Sequence, residues 1–174
     1  MNRLQRWCGA GVALVLAGAC AGLGAGCGGH GAAFPGVTAG PMPADQTWPG
    51  VYYNPVYGNL HLTEQDNSVV GRWRRTDSSH WGELSGTVEG NLLRFKWTEH
   101  TYGSVGPAAD LRGNGIFVYK IGQNDVPELD GKYALEDRDE TGDWHCVKQL
   151  NVKPDLNSIN GQSPTGTTSG DQWQ

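Results

Sequence analysis

The residues best suited to metal binding or proton transfer are five histidines: His30, His61, His80, His100 and His145. No His-x-His or His-x-x-x-His pair puts two imidazoles on one face. A metal site would therefore have to be assembled across strands, from His61, His80, His100 and Asp143 or His145, and none is expected. Among the carboxylates, Glu83, Glu89, Glu99 and Asp110 stand apart from the run Glu136-Asp137-Arg138-Asp139-Glu140. Glycoside hydrolysis would need two of them converging across a cleft, one with a raised pKa. The 136–140 run lacks the regular oxygen spacing and the glycine of a calcium loop, and reads as a solvated hairpin tip. There is no Gly-x-Ser-x-Gly and no Ser-x-x-Lys, and His145 and Cys146, as neighbours on a strand, point to opposite faces. Nothing argues for an enzyme or for a cofactor.

Aromatic residues say more. Trp48, Trp73, Trp81, Trp97 and Trp144, with Tyr52, Tyr53, Tyr57, Tyr102, Tyr119 and Tyr133, exceed what a core of this size needs. Some would fill an interior. Trp81 and Tyr102, close to the 100–110 segment, are expected to line a mouth suited to a flat or sugar-like ligand.

The elements that must position these side chains lie in one stretch. The chain has 174 residues, 37% hydrophobic and 18% charged, with a formal net charge of −5. Its length is that of one domain with tails, and its acidity argues against a nucleic-acid partner, which would call for clustered Lys and Arg. Residues 48–153 hold nearly all the large apolar side chains. They are preceded by a Gly/Ala/Pro tether at 27–47 and followed by a polar tail at 154–174 expected to be disordered.

Within 48–153 the period is two. Leu60-x-Leu62, Leu93-x-Phe95-x-Trp97, Phe117-x-Tyr119-x-Ile121 and Leu129-x-Gly131-x-Tyr133-x-Leu135 put apolar residues or glycine on one face and Arg, Lys, His and Asp on the other. Strands with one wet face alternate in this way. The pattern predicts eight, near 50–56, 59–64, 68–75, 82–89, 91–99, 113–121, 129–136 and 142–148. Short turns between them imply an antiparallel up-and-down meander, and the two exposed edges vanish if the sheet closes into a small barrel. The recurring apolar-x-Gly-x-apolar motif, as in Val69–Trp73, Leu84–Val88 and Leu129–Tyr133, gives the sheet bends and leaves room for inward rings.

The N-terminus reads as an export signal. Arg3 and Arg6 precede an uncharged apolar run, Gly9 to Ala19, that is too short to span a bilayer. Ala17-Gly18-Ala19-Cys20 and Gly24-Ala25-Gly26-Cys27 both resemble the lipobox of bacterial lipoproteins, in which the cysteine thiol is acylated and the chain is cut just before it. The resemblance implies a signal at 1–26 with lipid on Cys27, or at 1–19 with lipid on Cys20. Plain secretion after Ala19 is the alternative. Without residues 1–26 the chain holds 11 basic and 18 acidic side chains, so any attachment to a membrane would come from acyl chains rather than charge.

Gly50-Val51-Tyr52-Tyr53-Asn54, then Leu60-x-Leu62-Thr63 and Val69-x-Gly71-x-Trp73, resembles the first hairpin and third strand of the avidin and streptavidin family. The resemblance implies an eight-stranded up-and-down barrel, with Asn54 at the place of a ligand-binding Asn and Trp73 at that of a Tyr. Gly58 and Arg75 stand where that family has serines, so the likeness is one of architecture and biotin is not the implied ligand. The chain as a whole is similar to bacterial lipoproteins carrying one Gly- and Trp-rich β domain. The expected protein is thus a non-enzymatic, membrane-anchored lipoprotein of the cell envelope. Its barrel would bind a small ligand or a protein partner, with Asn54, Trp73, Trp81 and Tyr102 as candidate contacts. An inhibitor acting through its loops, and an envelope hydrolase using Glu83 or Glu99, are the alternatives.

Overall fold

The computed structural model describes residues 34–104, 106, 109–136 and 140–162. The export signal, Cys20, Cys27 and the centre of the 136–140 charge run lie outside them. Eight strands follow one another: β1 (Gly50–Asn54), β2 (Gly58–Gln65), β3 (Ser68–Arg74), β4 (His80–Glu89), β5 (Leu92–Thr101), β6 (Asp110–Ile121), β7 (Pro127–Leu135) and β8 (Thr141–Lys148). Each pairs antiparallel with the next, and β8 returns to β1 through Tyr52↔Lys148 and Tyr53↔Val147, closing the barrel. The all-β meander predicted from the alternation is the observed fold. The expected 100–110 loop is shorter, because β5 and β6 keep pairing as far as His100↔Asp110, where His100 Nδ1 lies 2.8 Å from Asp110 Oδ1.

Alternation sorts the side chains as the sequence suggests. Tyr52, Leu60, Leu62, Val69, Trp73, Phe117, Tyr119, Leu129 and Cys146 are fully enclosed in the core. Arg72, Glu83, Lys96, Lys132 and Asp143 occupy the outer wall. That charged exterior is the reverse of a transmembrane barrel, whose outward band is apolar.

Inward rings are accommodated by a repeated device. Trp73 is in register with Gly82, Trp97 with Gly113, Phe95 with Gly115, Phe117 with Gly131 and Tyr133 with Gly142. A Cβ on any of these glycines would fall between 2.2 and 2.7 Å from an atom of its partner ring. Each ring therefore fills the volume that the neighbouring strand leaves empty, which lets a narrow barrel hold many large side chains at close-packed density.

The turns at 66–67, 90–91 and 122–126 gather at one end, and there the segment leading into β1 closes the barrel. Asn91 Oδ1 accepts from Gly40 N at 2.7 Å, Gly40 O accepts from Asn91 N at 3.0 Å, and Arg94 donates to Val37 O. Trp48 and Met42 pack onto the core, and Trp48 Nε1 donates to Gly90 O at 3.3 Å. Gly90, at φ +53°, has to be glycine, since a Cβ would lie 2.1 Å from Gly40 O.

Beyond β8, residues 155–160 cross the outer wall. His61 Nδ1 accepts from Asp155 N at 3.0 Å, Arg72 Nη1 donates to Leu156 O and Ile159 O at 3.3 Å, and Ile159 is buried. The described parts of the expected tether and tail are thus bound to the barrel rather than free. Barrel side chains, Asn91, Arg94, His61 and Arg72, supply much of what holds their backbone, so little apolar pattern of their own is needed.

Candidate functional site

The hairpins β1–β2, β3–β4, β5–β6 and β7–β8 meet at the end opposite the plug, and there the barrel is open. A cavity of about 130 Å³ lies inside this mouth. An engineered cavity of about 150 Å³ suffices to take up benzene, so the space is that of a single ring. Its walls are the side chains of Tyr57, Trp73, Trp97, Tyr133 and Trp144, and Leu111 and Leu135 form part of the rim. A larger depression, about 420 Å³, lies outside the sheet beside Arg72, Glu83, Lys96 and Leu156. Leu84 and Trp97, which also border it, belong to the core.

One ion pair stands in this aromatic surround. Arg75 donates through Nε to Glu99 Oε2 at 2.9 Å and through Nη2 to Oε1 at 2.7 Å, while Trp73 Nε1 donates to Oε2 at 3.3 Å. Glu99 is only 3% exposed, the one buried charged residue among those described. Its hydrogen bond raises the Arg75 pKa further above the ordinary guanidinium range. The guanidinium also lies 5.5 Å from the centre of the Tyr57 ring, and the Tyr57 and Tyr133 hydroxyls are 3.1 Å apart. Burial first, then that hydroxyl contact, raises the Tyr57 pKa. Deeper in the barrel, burial pushes the Cys146 thiol up to about 12, so it is no nucleophile at neutral pH.

Of the residues expected at the mouth, Trp73 lies there and the others do not. Trp81 alternates with the inward Gly82 and Leu84, so it faces outward and stacks on His100 with ring centres 4.4 Å apart. Tyr102 lies outside as well, its hydroxyl donating to Asn160 O at 3.2 Å. Asn54 is engaged in structure: Oδ1 accepts from Val56 N and Tyr57 N at 2.7 and 2.9 Å, and Nδ2 donates to His145 O at 2.6 Å. Glu83 faces outward and lies 3.7 Å from Arg72, so Glu83 and Glu99 are on opposite faces of the sheet and do not face one another. No cluster of three His, Cys, Asp or Glu residues suited to a metal occurs among the described residues.

Arg75 is the site residue absent from the candidates, and Glu99, a candidate only as a hydrolase carboxylate, is not among those expected at the mouth. Strand parity could have found both: Glu99 continues Leu93-Phe95-Trp97 and Arg75 continues Gly71-Trp73, each a charge at an inward position. No protein-family model, curated protein or solved structure matches this chain. The class defined by fold and site is a small closed barrel, plugged at one end and open at the other, with an aromatic mouth around an ion pair.

Proposed function

We propose that the protein is an exported, lipid-anchored binding protein of the bacterial cell envelope, without catalytic activity, that holds a small ligand in the open end of its barrel. The observation that carries this reading is the mouth itself. Five aromatic side chains surround a ring-sized space instead of filling it, and barrel mouths of this kind are preferred ligand sites. The lipobox-like Cys20 and Cys27 support the anchor.

Trp73, Trp97 and Trp144 line the cavity, which makes intrinsic fluorescence a direct measure of occupancy. Titration with phenol, a single-ring probe, should give a saturable change, and Leu111→Trp, which fills the rim, should abolish it. Absence of any saturable change in the unaltered protein would refute a ligand-binding mouth. Intact mass of the protein taken from membranes tests the anchor: a diacylglycerol adduct on Cys27 or Cys20 is expected, and an unmodified chain beginning after Ala19 would refute it.

A further inference from the structure

We infer that the ligand of this mouth is an uncharged flat ring bearing a carbonyl-type hydrogen-bond acceptor, the chemistry of an aryl ketone or a quinone. The inference rests on the reading of the mouth as a binding site and adds what that site selects. Size comes first: about 130 Å³ between aromatic faces admits one ring and little more.

Charge comes second. Arg75 and Glu99 already neutralise each other through two hydrogen bonds of 2.9 and 2.7 Å. An anionic ligand would bring a second negative charge beside Glu99, and a cationic one would meet Arg75. Either would have to shed hydration between the rings for charges already paired with each other, and the exposed Glu140 at the rim adds to the repulsion of an anion. A buried ion pair is weak evidence of a contribution to stability, so its presence where Trp or Leu would serve the core points to a role in recognition.

Third is the inventory of polar groups left over. Glu99 accepts twice at Oε2 and once at Oε1, so the acceptor of the pair is largely engaged. The donors are not. No described residue accepts from Arg75 Nη1. The hydroxyls of Tyr57 and Tyr133 share one proton between them, which leaves the other proton free whichever of the two donates. Trp144 Nε1 turns instead toward the Cys146 thiol, deeper in the barrel, and is not one of these free donors. Glu140 also reaches the cavity but is exposed and solvated at its rim, so the unpaired protons facing the rings belong to Arg75 and one tyrosine hydroxyl, which a ligand that accepts would match.

The test uses the full chain and four ring probes of similar size: acetophenone, ethylbenzene, benzoate and benzylamine, followed by tryptophan fluorescence and calorimetry. Acetophenone is expected to bind more tightly than either charged probe. The double variant Tyr57→Phe/Tyr133→Phe keeps both rings and removes both hydroxyls. It should weaken acetophenone about fivefold, the effect of one neutral hydrogen bond, and leave ethylbenzene unchanged. Tighter binding of benzoate or benzylamine, or equal responses of acetophenone and ethylbenzene to the double variant, would overturn the ligand class while the binding mouth stands. If none of the four binds, the mouth is not a ligand site and both readings fall.

Discussion

Trp73 donates its indole N–H to Glu99 Oε2 at 3.3 Å across an intervening strand, and Gly82 is what permits it. Gly82 is the register partner of Trp73 on one side and of Glu99 on the other, and a Cβ there would fall 2.2 Å from Trp73 Cζ2. A residue with a side chain at that position would separate the indole from the carboxylate. The mouth therefore depends on a glycine that contributes no side chain to it.

Glu99→Gln should destabilise the barrel by about 2–3 kcal/mol, because it leaves the partly exposed Arg75 guanidinium without its counter-charge; breaking a fully buried pair costs about 3–5 kcal/mol. Replacing both residues, Arg75→Leu with Glu99→Leu, should recover much of that loss. Urea denaturation of the two variants checks the difference. A double variant no more stable than Glu99→Gln would contradict it.

Among the inward glycines, Gly113→Ala should be the most damaging. Its Cβ would lie 1.9 Å from Ala134 O, a backbone atom, as well as 2.7 Å from the Trp97 ring. Overpacking of this kind costs roughly 1–3 kcal/mol, and a clash with backbone belongs at the upper end. At Gly161 the nearest atom to a new Cβ is 3.2 Å away, so Gly161→Ala serves as the mild control in the same denaturation experiment.

Alkaline pH should weaken the fold. Burial holds the Cys146 thiol near 12 instead of 9.0, and it also raises Tyr52, Tyr57 and Tyr119 above the ordinary tyrosine range. These are acids whose folded pKa exceeds the unfolded one. Their stabilising contribution is complete below the unfolded value and is lost as pH rises toward the folded value. Between about pH 9 and 12, each group that ionises only in the unfolded chain removes about 1.4 kcal/mol per pH unit. Thermal midpoints measured from pH 7 to 11 should be flat up to about 9 and then fall. Cys146→Ser should reduce the onset near 9 and leave the tyrosine part.

Asn54→Ala should cost about 1–3 kcal/mol, since it removes two bonds from the β1–β2 turn and one from β1 to β8. Ligand affinity measured on the folded fraction should stay the same. A selective loss of binding at unchanged stability would place Asn54 in the ligand site, as the avidin-like resemblance implies.

Period-two alternation located all eight strands because a half-solvated wall forces that pattern on every one of them. It also identified Trp73 as interior. Parity also separates Trp81 from the mouth, which its closeness to the 100–110 loop does not: Trp81 sits next to the inward Gly82 and faces out. The plug at 37–48 and the strap at 155–160 were hidden for another reason. The side chains that bind them are Asn91, Arg94, His61 and Arg72, distant residues that read as ordinary exterior polar groups. The Arg75–Glu99 pair is legible by parity, as two charges at inward positions; what the sequence does not carry is that strands β3 and β5 bring them together across Gly82.

The first and last strands meet over only two register pairs, Tyr52↔Lys148 and Tyr53↔Val147, whereas β4 and β5 share ten. Three further bonds reinforce this short seam: Asn54 Nδ2 to His145 O, Gln149 N to Val51 O at 2.7 Å, and Lys148 Nζ to Thr47 O at 3.1 Å. They work like rivets along the one joint where the sheet was rolled up. Amide hydrogens of β1 and β8 should therefore exchange with solvent before those of β4 and β5, and the barrel should unroll from this joint outward.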